Sequence, residues 1–406
     1  MQNASKINLL IWGNSTNIGG GDVWVSQVKR YLEGSSYKVV LLSDGGMVAG
    51  EEKADIVISS WSQIEKTIKK LSPALVIPNW RYPIFGICAK LKKEGYKLKC
   101  LGLCHADSPR EYYEPLAWYE STISKFIAVS QKCKDALTQY LPHRENDIHY
   151  LDLGIEIPDD FEKTYSINPL KLIYFGRIEQ KQKRVFDFIK LVDVLESKNI
   201  NYEFDIIGSG TEQGNLKKRI AVLNSKNKIR LIDEMPHSLI LRKLKDYDVF
   251  LQVSEYEGQS VSMLEAMAAK LIPCVTKDMS GSWSLIDEGR NGFCVDIGDM
   301  KSMASILEKI SSMKKKEVSM LGEAAYATVK DKFDIKKTMP KHTEIFELCL
   351  KASDREWAHG DRYIMPGGFS SGYFPNNEIL GLILKGAFRI VPRDKIRNVL
   401  HRLKRS

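Results

Sequence analysis

The sequence alternates between short apolar runs and longer segments whose apolar residues have helical spacing, and it does so in two successive series. Runs rich in Val, Ile and Leu are typical of strands that are buried on both faces. Their alternation with helical segments predicts parallel β-sheets with helices packed on both sides. Because the chain has 406 residues, more than a single hydrophobic core usually contains, the two series predict two domains.

A polar segment over residues 159–169, ending in proline, separates the two series. We therefore expect a first domain over residues 1–165, a second over 166–335, and a C-terminal region over 336–406 that begins with a crossover helix. Parallel α/β sheets bind ligands at the carboxyl ends of their strands, so the two domains should face each other across a crevice. The predicted strands are KINLLIW, YKVVLLSD, ADIVISS, ALVIPNW, LKCLGLCH and KFIAVS, and then KLIYFGR, YEFDIIGSG, KIRLID, DVFLQVS, IPCVTK and GFCVD.

Cysteine usage and the first residues indicate a reducing compartment. The seven cysteines form no CxxC pair and are odd in number, which argues against a disulfide framework and a zinc knuckle. The opening MQNASKINLLIWGNS lacks a basic segment followed by a long apolar core, so we expect no secretory signal and a cytoplasmic location. The longest apolar run near the end, residues 379–384, is far shorter than the roughly 20 residues of a membrane-spanning helix.

The positive charge is concentrated at the end of the chain. Residues 385–406 contain eight Lys or Arg and one Asp, so they carry +7 of the net charge of +9. Apolar residues recur there with helical spacing at Ile396, Val399, Leu400 and Leu403. Such a basic amphipathic helix either binds an anionic membrane surface, here the inner face of the plasma membrane, or packs on a domain. The rest of the chain is nearly neutral, which argues against nucleic acid as a partner.

Two glutamates lie eight positions apart around the start of a predicted helix. Glu257 follows the strand DVFLQVS, and Glu265 lies inside the helix VSMLEAMAAK. The first N–H groups of a helix have no partner within the helix and attract anions. Gln259 and Ser260 lie at this helix start, so the segment predicts a site for a sugar diphosphate.

Cationic residues follow the strand KLIYFGR, which opens the second series. Arg177 ends this strand, and Lys181 and Lys183 come shortly after it. Fixed Arg and Lys side chains can neutralise the charge that develops on a leaving diphosphate, without a metal ion. These residues therefore predict a diphosphate-binding position at the same crevice.

The Glu-x7-Glu spacing and the preceding Arg and Lys resemble glycosyltransferase family 4, whose members are retaining enzymes with the GT-B fold of two facing Rossmann-like domains. The resemblance implies that Glu257 binds sugar hydroxyls and that Glu265 binds the ribose hydroxyls. It also implies that backbone amides from Gln259 through Ser260 to Val261 steady the sugar and phosphate. Where the family commonly has Gly-Phe-Gly, this chain has Gly-Gln-Ser, which leaves the identity of the donor sugar open.

The same resemblance assigns roles to the cations and to one histidine. It implies that Arg177 and a lysine bind the diphosphate. Lys183 matches the family pattern best, and Lys181 stays an alternative because the segment is one residue longer than usual. His105, at the end of the strand LKCLGLCH, falls where the family has a histidine near the transferred sugar. We therefore predict that His105, Arg177, Lys183 and Glu257 are the catalytic residues.

Two glycine-rich turns complete the predicted site. Gly20 and Gly21 follow the first strand and precede a helix, and glycine there permits close approach of the backbone to a ligand. Gly208 and Gly210 follow the strand YEFDIIGSG, and the resemblance implies that they approach the nucleotide. We predict that all four glycines bind the donor.

The resemblance implies a metal-independent, retaining glycosyltransferase that takes a sugar from a nucleotide diphosphate sugar. A glycan or polyprenyl-linked glycan is the expected acceptor, and no cofactor or metal is expected. The pair Asp246 and Asp248 has the spacing of a metal motif, but it precedes a strand instead of opening into the crevice. A nucleotide-sugar epimerase or phosphorylase on the same fold is the alternative activity, and a non-catalytic binding protein is an alternative of another class.

Overall fold

A computed structural model describes residues 6–14, 19–48 and 52–366 of the chain. Its first half contains nine strands and five α-helices among these residues. The strands are β1 (Ile7–Trp12), β2 (Tyr37–Ser43), β3 (Met47–Val48), β4 (Glu52–Lys53), β5 (Ile56–Val57), β6 (Ala74–Ile77), β7 (Leu98–Cys104), β8 (Lys125–Ala128) and β9 (Ile148–Tyr150). The helices are α1 (Gly20–Leu32), α2 (Trp61–Leu71), α3 (Pro83–Lys93), α4 (Glu114–Trp118) and α5 (Gln131–Tyr140).

The second half repeats this architecture. Its strands are β10 (Leu170–Phe175), β11 (Tyr202–Ile207), β12 (Ile229–Ile232), β13 (Val249–Gln252), β14 (Ile272–Thr276) and β15 (Phe293–Val295). The helices are α6 (Asp187–Ser197), α7 (Gln213–Ala221), α8 (His237–Leu244), α9 (Val261–Ala268), α10 (Met300–Ser312), α11 (Lys315–Lys332) and α12 (Ile335–Lys351).

Thirteen of these fifteen strands form two parallel sheets, and β3 and β4 pair separately. The first sheet has the order β5-β2-β1-β6-β7-β8-β9 and the second has the order β12-β11-β10-β13-β14-β15. The strand order reverses at β1 in the first sheet and at β10 in the second. From each of these strands the chain first adds strands on one side and later adds strands on the other side. The carboxyl end of such a strand is the place where doubly wound sheets bind ligands. The predicted α/β class with two parallel sheets is confirmed.

The apolar runs form strands because both faces of each sheet are covered. All four residues of β6 and all four of β13 are buried, as expected for parallel strands between two layers of helices. The predicted strand ADIVISS is ordered as a strand only over Ile56–Val57. The short strand β9 and the antiparallel pair β3 and β4 are not predicted from the sequence, because each has only two or three residues.

The chain crosses between the two sheets twice, side by side. The first crossing runs from the end of β9 to the start of β10, and the second lies between α11 and α12. The Ile155 N–H donates to the Phe333 carbonyl at 2.9 Å, and the Ile335 N–H donates to the Ile155 carbonyl at 2.9 Å. Helix α11 packs on α9 and β14, whereas α12 returns to pack on β6, β7 and β8.

After α12 the chain lies on the first domain. The His359 ring stacks on Trp118 with ring centroids 3.7 Å apart, and its Nε2 is 2.9 Å from the Trp118 carbonyl oxygen. Asp354 forms ion pairs with Lys92 and Lys99 at 3.0 and 2.9 Å. These contacts hold residues 352–366 against α3, α4 and β7. The basic tail predicted over residues 385–406 lies outside the described residues.

No helix within the described ranges combines the length and apolar character that crossing a membrane requires. All seven cysteines lie within those ranges and are unpaired, and six of them are buried.

Candidate functional site

A cleft lies between the carboxyl ends of the two sheets, where the connections after β1, β7, β10, β11 and β13 meet. It encloses about 1160 Å³ of space, part of which is open to solvent. The predicted residues that line it are Gly20, Gly21, His105, Arg177, Lys183, Gly208, Glu257, Gln259, Ser260, Val261 and Glu265.

Gly210 is not among the residues that line this cleft. Its φ angle is +156°, and a Cβ atom at this position would lie 2.3 Å from the Ile178 carbonyl oxygen. Glycine is therefore required here by the packing of two chain segments. Its predicted neighbour Gly208 does line the cleft.

The turn from β13 into α9 positions Glu257 and the helix start. Ser260 is the N-cap of α9, where its hydroxyl oxygen accepts the Met263 N–H at 3.3 Å. The same hydroxyl donates to the Gln252 side chain at the end of β13. Since the Ser260 side chain is used within the protein, the backbone N–H groups of this turn are what it can offer to an anion.

Glu257 is held by a network of buried polar groups. Its side chain is 5% exposed, and its Oε1 forms an ion pair with Lys183 Nζ at 2.7 Å. The Ser254 hydroxyl donates to the same oxygen at 2.6 Å, and Gln182 Nε2 lies 3.5 Å from Oε2. Arg177 in turn donates to the Gln182 carboxamide oxygen. The network thus joins Glu257, which is predicted to bind the sugar, to Arg177 and Lys183, which are predicted to bind the diphosphate.

The structure separates the two candidate lysines. Lys183 lines the cleft and its side chain is 14% exposed, whereas Lys181 is exposed and is not among the lining residues. Between them Gln182 turns inward, because its backbone N–H and that of Lys181 both bond the Glu179 carboxylate. Sequence reasoning missed Gln182, for which no spacing rule gives a signal.

Glu265 has a partner that sequence reasoning also missed. His237 Nε2, at the start of α8, lies 2.6 Å from Glu265 Oε1, and both residues line the cleft. Glu265 is 5% exposed overall. A buried carboxylate fixed by a histidine keeps its second oxygen available to accept hydrogen bonds from hydroxyl groups. The signal for His237 was its position directly after a predicted strand and a proline.

Residues of the predicted site also join the two domains. The Gln259 side chain accepts the Leu153 N–H at 2.6 Å and donates to the Leu153 carbonyl at 3.3 Å. Gly258 pairs with Ala106 in an isolated antiparallel bridge. The Gln259 side chain is therefore used in a contact with the first domain. Only the Gln259 backbone belongs to the turn at the start of α9.

Close packing beside the cleft explains why glycine occupies three positions, two of which face the other domain. A Cβ atom on Gly20 would lie 2.7 Å from the Val261 side chain, and one on Gly21 would lie 2.9 Å from the Trp80 ring. A Cβ atom on Gly258 would lie 1.8 Å from the His105 carbonyl oxygen. Gly20 thus meets the start of α9 in the second domain, whereas Gly21 packs beside Trp80 within the first domain, and the sequence pattern alone shows neither contact.

His105 is a neutral histidine in the wall of the cleft. Burial lowers its pKa to about 4, so the ring is uncharged at neutral pH. Its Nε2 lies 3.4 Å from the Asn79 side-chain oxygen, and its buried Nδ1 has no hydrogen-bond partner among the described residues. A neutral ring with one unused nitrogen can form a hydrogen bond with a sugar hydroxyl.

Within the described part of the chain, no group of three or more His, Cys, Asp or Glu side chains has an arrangement that could hold a metal ion. The oxygens of Asp248 accept the backbone N–H groups of Ser166, Ile167 and Lys171. This carboxylate therefore fastens the segment before β10 to the start of β13.

The second half of the chain is similar to a known protein family. The family model described as Glycosyl transferases group 1 matches residues 157–328. The amylovoran biosynthesis glycosyltransferase AmsK of Erwinia amylovora is 30% identical over 209 residues, which cover 49% of this chain and 50% of AmsK. The capsular polysaccharide biosynthesis glycosyltransferase CapM of Staphylococcus aureus is 23% identical over 248 residues, 56% of this chain and 62% of CapM. The matches thus span about half or slightly more of these relatives.

Solved structures match over most of the chain. A glycosyltransferase from Rickettsia africae superposes with a TM-score of 0.69 at 20% identity, covering 86% of this chain and 100% of that one. HepE from Anabaena, in complex with UDP-glucose, superposes with a TM-score of 0.68 at 17% identity, covering 84% of this chain and 99% of that one. The chain therefore has the GT-B fold, and its second domain matches the glycosyl transferases group 1 family over residues 157–328.

Proposed function

We propose that the protein is a retaining, metal-independent glycosyltransferase that moves a sugar from a nucleotide diphosphate sugar to a glycan or lipid-linked glycan. The observation that carries the proposal is the convergence of Arg177, Lys183, Glu257 and Glu265 on one cleft. Two cations and a helix N-terminus suit a diphosphate, and two buried carboxylates suit hydroxyl groups on either side of it. The named relatives act in bacterial polysaccharide synthesis, which supports the same role for this chain.

In the proposed reaction, the bond between sugar C1 and the diphosphate oxygen breaks, and a bond from an acceptor oxygen to C1 forms on the same face. The acceptor proton passes to the leaving phosphate oxygen, so no protein nucleophile is required. Arg177 and Lys183 stabilise the negative charge on the departing diphosphate. Glu257 orients the sugar, Glu265 with His237 binds the ribose, and His105 contacts the transferred sugar or the acceptor. No cofactor is needed for this chemistry.

The first test is a thermal-stability screen of nucleotide sugars, beginning with UDP-glucose, which HepE binds. A donor present at 100 times its Kd is expected to stabilise the protein by about 2.7 kcal/mol. Each stabilising donor is then incubated with glycan acceptors, and NMR reports the anomeric configuration of the product. We expect retention, and we expect turnover to survive EDTA. An inverted product, or activity that EDTA abolishes and Mn²⁺ restores, would contradict the mechanism.

Incubating the donor without an acceptor tests the alternative activities. An epimerase converts the nucleotide sugar into an isomer under these conditions, whereas we expect no more than slow hydrolysis. A phosphorylase requires inorganic phosphate, and a non-catalytic binding protein leaves every donor and acceptor unchanged. These outcomes separate the rival functions because each requires a different second substrate.

We further propose that residues 385–406 attach the protein to an anionic membrane surface on the cytoplasmic side. This proposal rests on the sequence, since these residues lie outside the described ranges, and on the packing of residues 352–366 on the first domain. Lys and Arg near such a surface contribute about 1 kcal/mol each. The segment would thus bring a lipid-linked acceptor close to the cleft.

Deleting residues 385–406 is expected to abolish binding to vesicles that contain anionic lipid, because it removes +7 of charge and one apolar stripe. Nucleotide-sugar binding should be unchanged, since no cleft residue is lost. Co-sedimentation with vesicles at about 0.1 M and about 1 M salt measures the effect, because screening lengths fall from about 10 Å to about 3 Å. The triple variant Ile396→Ser, Leu400→Ser and Leu403→Ser keeps the charge and loses the apolar stripe, so it should bind the vesicles more weakly than the full-length protein at about 0.1 M salt. Equal vesicle binding by the full-length and truncated proteins would exclude the membrane role.

A further inference from the structure

A buried carboxyl group, Asp22, lies in the first turn of α1 next to the cleft and is not part of the proposed ligand set. Asp22 is fully buried. Its Oδ1 accepts the Asn14 N–H at 2.9 Å and its Oδ2 accepts the Gly19 N–H at 3.0 Å. These two amides lie on opposite sides of residues 15–18, so one side chain holds both ends of the connection between β1 and α1.

The position of this connection matters for the cleft. Gly20 and Gly21 come directly after Gly19, and a Cβ atom would lie 2.7 Å from the Val261 side chain at Gly20 and 3.3 Å from the His105 ring at Gly21. Arg177, on the second domain, is the cation whose charge acts on Asp22. The carboxyl group therefore lies at the point where the first domain meets the proposed diphosphate site.

We propose that Asp22 is a positioning residue whose ionised carboxylate clamps the β1–α1 connection and so places Gly20 and Gly21 against the proposed donor site. The expected effect on catalysis rests on the proposed function, whereas the clamp itself does not depend on that function. Both partners are N–H donors, so each carboxyl oxygen has to accept a hydrogen bond. An amide in its place turns an NH₂ donor towards one of these N–H groups and leaves that N–H without an acceptor, and a protonated carboxyl accepts one of the two hydrogen bonds only weakly.

The clamp is expected to depend on pH. Burial raises the pKa of Asp22 to about 7, opposed by the hydrogen bonds from the Asn14 and Gly19 backbone N–H groups, by the charge of Arg177 and by a hydrogen bond with the Asn14 side chain. Among the described residues, the rings of His105 and His342 pack against Trp24 of α1, and burial lowers the pKa of each to about 4. Neither histidine changes charge between pH 6 and pH 8. Over this interval a carboxyl with a pKa near 7 becomes about 10-fold more ionised.

As pH rises, ionisation of Asp22 is expected to lower the stability of the fold but to raise the proposed activity. A carboxyl whose pKa is higher in the folded state than in the unfolded state binds more protons when folded, so stability falls as pH rises from about 4 to about 7. Ionising Asp22 therefore weakens the fold while it closes the clamp. A residue retained only for stability would show no such opposition.

Hydrogen exchange of the Asn14 and Gly19 amides tests the clamp in the full-length protein without any ligand. After correction for the intrinsic pH dependence of exchange, we expect protection in the wild type to be about 10-fold greater at pH 8 than at pH 6. Asp22→Asn should have low protection at both pH values. Asp55→Asn is the matched control, because Asp55 also accepts a backbone N–H, that of Leu41, and does not line the cleft. Protection that is independent of pH in the wild type would overturn the proposal.

Steady-state turnover with UDP-glucose, or another donor from the screen, tests the consequence. We expect kcat/KM for the donor to rise about 10-fold between pH 6 and pH 8 in the wild type and in Asp55→Asn, and to be low and nearly flat in Asp22→Asn. A wild-type pH step that persists in Asp22→Asn would overturn the positioning role. If exchange follows the expectation but no nucleotide sugar is turned over, the clamp is supported and the proposed function is refuted.

Discussion

Replacing Lys183 with Ala is expected to lower kcat for sugar transfer by about 100-fold or more, about 2.7 kcal/mol of barrier. Lys183 supplies one of the two cations for the proposed leaving diphosphate, and it forms the ion pair with Glu257. The variant therefore loses charge stabilisation and also leaves a carboxylate that is 5% exposed without its cation. Measurement of kcat and KM with a saturating acceptor checks the result.

Two further variants make this test specific. Lys181→Ala is the matched control, because Lys181 is exposed two positions away, and wild-type turnover is expected. Lys183→Ala should also lower the free energy of unfolding by about 1–3 kcal/mol, the usual cost of a buried polar group that loses its partner. Adding Glu257→Gln should recover most of that stability and none of the activity. Wild-type turnover in Lys183→Ala, or loss of turnover in Lys181→Ala, would contradict the assignment.

Gly258→Ala is expected to lower kcat/KM by about 100-fold or more, since a 1 Å misplacement of a catalytic site can already have an effect of this size. The new methyl group would lie 1.8 Å from the His105 carbonyl oxygen and 3.0 Å from the Val129 side chain, both in the first domain. Backbone cannot yield as a flexible side chain does, so the two domains have to separate. The diphosphate ligands and His105 would then no longer lie in one cleft.

Gly214→Ala is the matched control for this substitution. Gly214 is exposed in α7, and a Cβ atom there would meet nothing within 4 Å. Alanine in a helix is favoured over glycine by about 1 kcal/mol, so this variant should be at least as stable as the wild type and fully active. Nucleotide binding to Gly258→Ala, measured by calorimetry, should persist in part because Glu265 and His237 both belong to the second domain. Turnover within threefold of the wild type would show that the domain contact is not needed.

The sequence by itself determined the architecture and most members of the cleft. Apolar runs alternating with helical segments specify parallel sheets, because only strands covered on both faces bury every side chain. The carboxyl ends of such strands meet at one edge of each sheet, so residues that directly follow a strand, such as Arg177, Glu257 and His105, come together wherever the strands are correctly predicted. Sequence patterns within one segment are sufficient to predict which residues reach this edge of the sheet.

Only the tertiary structure decided which side chains enter the cleft and which partners they find there. Lys183 and Lys181 are two positions apart in an irregular turn, and their directions depend on the Glu179 carboxylate that the turn wraps around. Gln182 contacts a residue that is 75 positions away in the chain, and His237 contacts one that is 28 positions away. Asp22 contacts a residue that is eight positions away. Gly210 satisfies a steric requirement at Ile178 instead of lining the cleft. These contacts join loops and helix starts that the fold of each domain brings together, and no local periodicity encodes which of these segments meet.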